Sequence, residues 1–481
     1  MKIVKKIVLS CMCMTAFAAF VSCSSDVEET EALSVDQTVE YSDADLTNII
    51  ISDAQPTILT DNDYTVEEFA DMIFGVDGAN GSTDAASEKA QFIENEKRKT
   101  DSIANVLGQN GITKYFHKTT YTYPSVDENG DVIYLSALVA WGYWKGIFKS
   151  YELDQDNMVL YCPYTHTLNS ECATVSGGGN ELKLLTEETL MIMPDYEGFG
   201  ATNGRDQVYL NHGLCARQIV DALAPGLKIF TNNKGSFEKD YKFVIMGASQ
   251  GGANSMATLK YMENTYETKN GLTKNLADWY GLDHVDVCCG PYSPATTMEK
   301  YYEWGKVSFP VAFPLVIKSM LICYPDIMSG VDESDFYSAS YLAHKSEFDS
   351  IFKNKTKSVD DINELMIKYC ATAAHLKETD EELYIEDFMS VAGRNANSEI
   401  NQKLMKCLKL NELTSGWIPM HKVDFYVSEG DKVVPYENSV KMIELCNKYN
   451  KVIDIDYSTI GTSHTASCAK WMVKKFTLHN I

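Results

Sequence analysis

The chain has 481 residues, 45% hydrophobic and 23% charged, which suits one large globular domain with insertions or two domains. A formal charge of −25 would be repelled by nucleic acid, so that class of partner is set aside. Neither CxxC nor HExxH occurs, so no metal or other cofactor is expected.

At the start, Lys2, Lys5 and Lys6 precede an apolar run over residues 7–21. That run is too short, and too flecked with serine and threonine, for a spanning helix; it reads as a secretory signal peptide over 1–22. It ends Phe20-Val21-Ser22-Cys23, which resembles a bacterial lipobox, with Phe20 where leucine is usual and Cys23 as the lipidated first residue. Residues 24–45 carry acidic side chains throughout (Asp26, Glu28, Glu29, Glu31, Asp36, Glu40, Asp43, Asp45) and no basic one. Such a segment cannot bury enough apolar surface to fold, so 23–48 reads as a solvated acidic tether. The lipobox resemblance implies an exported protein held at the outer membrane by a lipid anchor alone. The acids just after the cysteine are similar to a surface-export signal, so surface exposure is the expectation, with the periplasmic face as the alternative.

Residues 49–113 read as a small N-terminal helical segment. Thr65-Val66-Glu67-Glu68 has capping-box spacing ahead of Phe69, Met72 and Ile73, and a charged helix follows over about 86–107 after a Gly-rich break. Strands are predicted over 119–123 and 132–140, joined by an Asn-Gly turn at Asn129-Gly130. Short buried strands follow at 158–161 and 190–193, then helical patterns at 211–223 and 253–263, with strands at 241–246, 285–289, 423–427 and 452–457. Alternation of this kind predicts a mostly parallel sheet with helices on both faces. Ten cysteines lie beyond Cys23; an oxidising compartment permits disulfides, but no pairing is assigned.

The most informative stretch is Gly247-Ala248-Ser249-Gln250-Gly251, set between the strand at 241–246 and a helical pattern opening at Gly252. Strand, G-x-S-x-G turn and helix together make a nucleophile elbow. Three further segments stand with it: 193–200 (Met-Pro-Asp-Tyr-Glu-Gly-Phe-Gly), 430–435 (Gly-Asp-Lys-Val-Val-Pro) and 461–464 (Gly-Thr-Ser-His). In order and spacing these resemble an α/β-hydrolase of the secretory-lipase and carboxylesterase branch, over about 114–481, with an unmatched block at about 295–418. The resemblance implies an α/β-hydrolase fold for 114–481 with a helical cap inserted at that block.

The chemistry of the residues agrees. A serine hydroxyl needs a base beside it, and the base needs an orienting carboxylate. In α/β-hydrolases these follow in the order Ser, Asp or Glu, His, which selects Ser249, Asp431 beyond the strand at 423–427 and His464 beyond that at 452–457. His479 then reads as a tail residue, and Asp424 and Asp456 fall inside strands. An oxyanion hole needs two N–H donors: one is expected from Gln250, the other from Tyr164 or Thr165 after the strand at 158–161. His166 in the same loop reads as lining the site rather than as a base. Asp195, Glu197 and Gly200, with Arg205 nearby, read as a structural turn rather than an acid/base pair. The apolar, proline-broken run at 309–317 reads as a buried cap helix, with an acyl-pocket wall as the alternative. The expected activity is hydrolysis of a small-molecule, glycan or lipid ester through an acyl-enzyme. A serine peptidase of the oligopeptidase-like branch, or a non-catalytic binding lipoprotein on the same scaffold, are the alternatives.

Overall fold

The computed structural model describes residues 54–75, 85–108, 110–146, 150–151, 155–186, 188–377, 382–457 and 463–477. The signal peptide, Cys23, the tether and His479 lie outside them. The strands of the main sheet are β1 (Thr57–Thr65), β2 (Thr113–Val126), β3 (Val132–Lys145), β4 (Ser150–Tyr151), β5 (Gln155–Cys162), β6 (Thr189–Pro194), β7 (Phe237–Ala248), β8 (Leu282–Cys288), β9 (Lys422–Tyr426) and β10 (Val452–Asp456). They form one ten-stranded sheet in the order β1-β2-β3-β6-β5-β7-β8-β9-β10, with β4 paired to β3. From β6 to β10 every pairing is parallel, while β1, β2 and β3 pair antiparallel with each other and with β6.

Both faces of the parallel half are covered, and the apolar runs show why. Met158, Leu160, Leu190, Ile192, Phe243 and Ile245 point into one core, while the alternate residues Val159, Tyr161, Met191, Met193, Val244 and Met246 point into the other. A strand buried on both faces needs a continuous apolar sequence, which these three have. Helices α3 (His212–Asp221), α4 (Leu223–Asn232) and α5 (Gln250–Asn264) fill the first core. The second is closed by α1 (Val66–Phe74), α2 (Ala85–Leu107) and the C-terminal helix, which contributes Trp471.

The segment at 49–113 departs from its helical reading. The capping box at Thr65 forms and starts α1, but the described part opens with β1, which pairs with β2 from Thr57↔Thr122 to Thr65↔Tyr115. The sheet therefore begins well before residue 114. Thr-Ile-Leu-Thr-Asp-Asn-Asp-Tyr-Thr is an edge strand with nearly every side chain in water, so it carries no alternation of apolar and polar residues to read. Side chains secure it: the His117 ring lies 2.8 Å from Asp63 and 2.9 Å from Asp61, both on β1.

Between β8 and β9 the chain leaves the sheet as α6 (Pro294–Trp304), α7 (Ala312–Cys323), α8 (Lys345–Asn354), α9 (Val359–Cys370) and α10 (Glu399–Leu410). These build a separate hydrophobic core, to which the sheet region adds Tyr209 and Leu210. The run at 309–317 enters α7, whose Phe313, Leu315, Val316 and Ile317 are buried, so it is a core helix of this insertion. After β9 come α11 (Tyr436–Lys448) and, beyond β10, α12 (His464–Thr477). Among the described residues no helix is long and apolar enough to cross a membrane.

Candidate active site

β7 ends at Ala248 and α5 starts at Gln250, leaving Ser249 alone to make the turn, at φ 57° and ψ −125°. A non-glycine residue rarely adopts that conformation, and it turns the hydroxyl out of the chain path. The Ser249 N–H donates to the Cys288 carbonyl at the end of neighbouring β8 (2.9 Å). The flanking glycines are needed for space rather than for left-handed backbone. A Cβ on Gly251 would stand 2.0 Å from the Cys162 carbonyl oxygen, one on Gly247 2.5 Å from the Gly251 carbonyl, and one on Gly252 2.9 Å from the Cys288 carbonyl. The G-x-S-x-G-G sequence is thus what lets β5 and β8 close on the turn.

The structure brings Ser249, His464 and Asp431 together. His464 Nε2 lies 2.8 Å from Ser249 Oγ, and its Nδ1 lies 2.5 Å from Asp431 Oδ2. Asp431 is buried in the loop after β9, and its other oxygen accepts the Val433 and Val434 N–H groups, both at 2.8 Å. Every orientation in the line is therefore fixed by a partner. Burial disfavours a charged His464, but Asp431 and Cys468 outweigh it and hold the imidazole well above the usual histidine range.

His464 is placed by the docking of α12. Counting from His464, the residues at +4, +7 and +11 are Cys468, Trp471 and Lys475, the spacing of one helix face. Trp471 Nε1 donates to Asp286 on β8 (2.9 Å), and Lys475 bridges Asp286 and Asp424, the latter on β9 at 2.8 Å. Asp286 and Asp424 are themselves register partners. Beyond that spacing this clamp is not legible in the chain, because its acids lie inside strands, where no motif marks them.

The loop after β5 borders the elbow, since the Cys162 and Pro163 carbonyls are the groups nearest Gly251. Tyr164 is exposed and stacks on His166 at 4.7 Å. Thr165 is buried, with its hydroxyl 3.2 Å from that of Tyr209. His166 is enclosed between Tyr164 and Phe199, and burial pushes its pKa down to about 4, which keeps the ring neutral. Gln250 is buried at the first position of α5.

The two acids of the 193–200 segment go to different places. Asp195 accepts from Ser136 Oγ (2.7 Å) and from the Thr174 N–H (3.2 Å) and hydroxyl. Glu197 pairs with Arg205 (2.6 Å) and Gln218 (2.6 Å). Gly200, at φ 53°, packs where a Cβ would stand 2.2 Å from Asp195 Oδ2. This is a structural turn. Asp424 and Asp456 are likewise engaged, with Lys475 and Lys474. The ten cysteines of the described region are all free thiols.

No protein-family model matches the chain, and no curated protein does. Solved structures do. The rice cell wall degrading esterase LipA from Xanthomonas oryzae is similar over 88% of this chain and 96% of its own, at 18% identity and a TM-score of 0.59. A provisionally named hydrolase from Legionella pneumophila is similar over the same shares, at 13% identity and a TM-score of 0.57. These likenesses concern architecture: the chain has the α/β-hydrolase fold.

Proposed function

We propose that the protein is a serine hydrolase that cleaves carboxylic esters through an acyl-enzyme on Ser249. The observation that carries this reading is the unbroken line Ser249 Oγ–His464 Nε2, His464 Nδ1–Asp431 Oδ2, at 2.8 and 2.5 Å, on a serine held at positive φ. Once neutral, His464 takes the hydroxyl proton as Ser249 attacks the ester carbonyl, and Asp431 holds that neutral ring in the tautomer whose Nε2 accepts. The N–H of Gln250 and one from the Tyr164–Thr165 loop face the developing oxyanion. His464 then returns its proton to the leaving alcohol, and a water released from its own proton by the same ring clears the acyl group. The substrate class is a small-molecule, glycan or lipid ester; LipA, the fold neighbour, is itself an esterase. We further read the chain as exported and lipid-anchored through Cys23, so a Cys23→Ser variant is expected to leave the membrane fraction.

The test is hydrolysis of p-nitrophenyl esters from acetyl to palmitoyl by the mature protein and its Ser249→Ala variant. Loss of the nucleophile is expected to lower kcat by about 10⁴-fold or more, with the thermal transition kept. A variant hydrolysing at the wild-type rate would overturn the assignment. The acyl length giving the highest kcat/KM reports the depth of the pocket under the cap.

A further inference from the structure

We propose that Cys468 is a modification site built onto the base of the Ser249 centre: a thiol that takes peroxides and related soft electrophiles, then closes a disulfide with Cys288. Its effect on hydrolysis rests on the reading above; its chemistry does not.

Cys468 stands one helical turn after His464 on α12, with Sγ 3.9 Å from the same Nε2 that faces Ser249 Oγ. Its side chain packs in the same cluster as that of Cys288, the last residue of β8, two residues beyond the Asp286 that receives Trp471. Cys288 in turn receives the Ser249 N–H on its carbonyl. The two sulfurs therefore sit between the helix that carries the base and the strand end that holds the nucleophile. Exposure orders them: Cys288 is fully buried, whereas Cys468 keeps a small solvent-exposed share, so a reagent from solvent meets Cys468 first.

Reactivity is ordered the same way, because the thiolate is the nucleophile. The neighbouring Cys288 thiol and the His464 charge outweigh burial and bring Cys468 down to about 5. Burial, the largest cause, drives most other thiols the opposite way, Cys162, Cys172, Cys370 and Cys446 to about 12 and Cys323 and Cys407 to about 11.

With hydrogen peroxide the steps balance. The Cys468 thiolate attacks one peroxide oxygen, the O–O bond breaks, and the departing hydroxide takes a proton from the His464 imidazolium to leave as water. Cys288 sulfur then attacks the Cys468 sulfenic sulfur, the S–O bond breaks, and hydroxide leaves with the Cys288 proton as a second water. Two thiols and one peroxide become one disulfide and two waters, the sulfurs giving two electrons to the peroxide oxygens. An oxygen on Cys468 competes with Ser249 for Nε2, and the disulfide ties α12 to β8. Both states stop ester hydrolysis until a dithiol reduces them.

The experiment uses the full-length mature protein in three forms: wild type, Ser249→Ala and Cys468→Ser. A pulse of iodoacetamide at pH 6, read by peptide mass spectrometry, is expected to alkylate Cys468 at least about tenfold faster than the other cysteines, in wild type and Ser249→Ala alike. Peroxide is expected to yield a Cys288–Cys468 linked peptide that dithiothreitol removes. Wild-type ester hydrolysis should fall and recover in step with that peptide, while Cys468→Ser, whatever its starting rate, loses none of it to peroxide. Cys468 alkylating no faster than its neighbours, or peroxide leaving the pair unlinked, overturns the proposal even if the esterase reading stands. A linked peptide in a protein that hydrolyses no ester supports the site and overturns the esterase reading instead.

Discussion

At the scale of single residues, the backbone of Ser249 is held where few side chains go, at φ 57° and ψ −125°. Such a conformation costs on the order of 1–3 kcal/mol in strain, which the closely packed ends of β5 and β8 enforce. Alanine at 249 keeps a Cβ and keeps the strain, whereas glycine does not. Ser249→Gly is therefore expected to be more stable than Ser249→Ala by about 1 kcal/mol, although both lack the hydroxyl. Thermal or denaturant unfolding of the two variants checks this, and an alanine variant as stable as the glycine one would show that the turn is relaxed. Ser249, Asp431 and His464 were legible in the sequence because each sits in a turn just beyond a readable strand, in a fixed order along the chain. Cys468 was not, because a cysteine inside a helix carries no motif and gains meaning only from the His464 ring one turn away.

At the scale of elements, α12 shows how adjacent residues come to differ. Lys475 is almost wholly buried and bridges Asp286 and Asp424, while Lys474 meets Asp456 at a half-exposed edge. Breaking a buried pair leaves an uncompensated charge, at a cost of about 3–5 kcal/mol, whereas a partly solvated pair contributes no more than about 1 kcal/mol. Lys475→Met is expected to lower unfolding stability by the larger amount and Lys474→Met by the smaller. Denaturant titration of both variants reads the difference directly, and equal losses would mean that the clamp under His464 carries no special weight. The strands this helix docks against were legible because burial on both faces writes continuous apolar runs, as in Leu190–Met193 of β6. β1 was illegible for the converse reason: an edge strand of threonines and aspartates is specified by what β2 offers it, not by its own pattern.

At the scale of the whole molecule, the insertion brings a core of its own against the sheet and its two cores. The position of the cap between β8 and β9 could be read from the sequence as a block without hydrolase motifs; its attachments could not, since they join residues far apart along the chain. Lys355 of the cap donates to the Asn203 and Arg205 carbonyls (2.8 Å each), and Thr167 of the β5 loop donates to the Lys357 carbonyl (2.9 Å).

One attachment reaches Asp431 itself. The buried Tyr301 hydroxyl of α6 donates to the Val433 carbonyl (2.5 Å), and the N–H of that same peptide unit, from Val434, donates to Asp431 Oδ1 (2.8 Å). A peptide plane held at its oxygen by the cap thus holds the carboxylate with its nitrogen. Removing the hydroxyl leaves the buried carbonyl without that donor, which costs about 1–3 kcal/mol and frees the plane to tilt. Tyr302 is the control, for its hydroxyl donates to Gly393 (3.0 Å) wholly within the cap. Both Tyr301→Phe and Tyr302→Phe are expected to lower stability by similar amounts. Only Tyr301→Phe should lower kcat, by about tenfold, because only there does the lost bond lie one peptide from the carboxylate that orients His464. Measuring kcat and the thermal transition for the pair decides the matter: equal kcat in the two would mean that the insertion docks beside Asp431 without holding it.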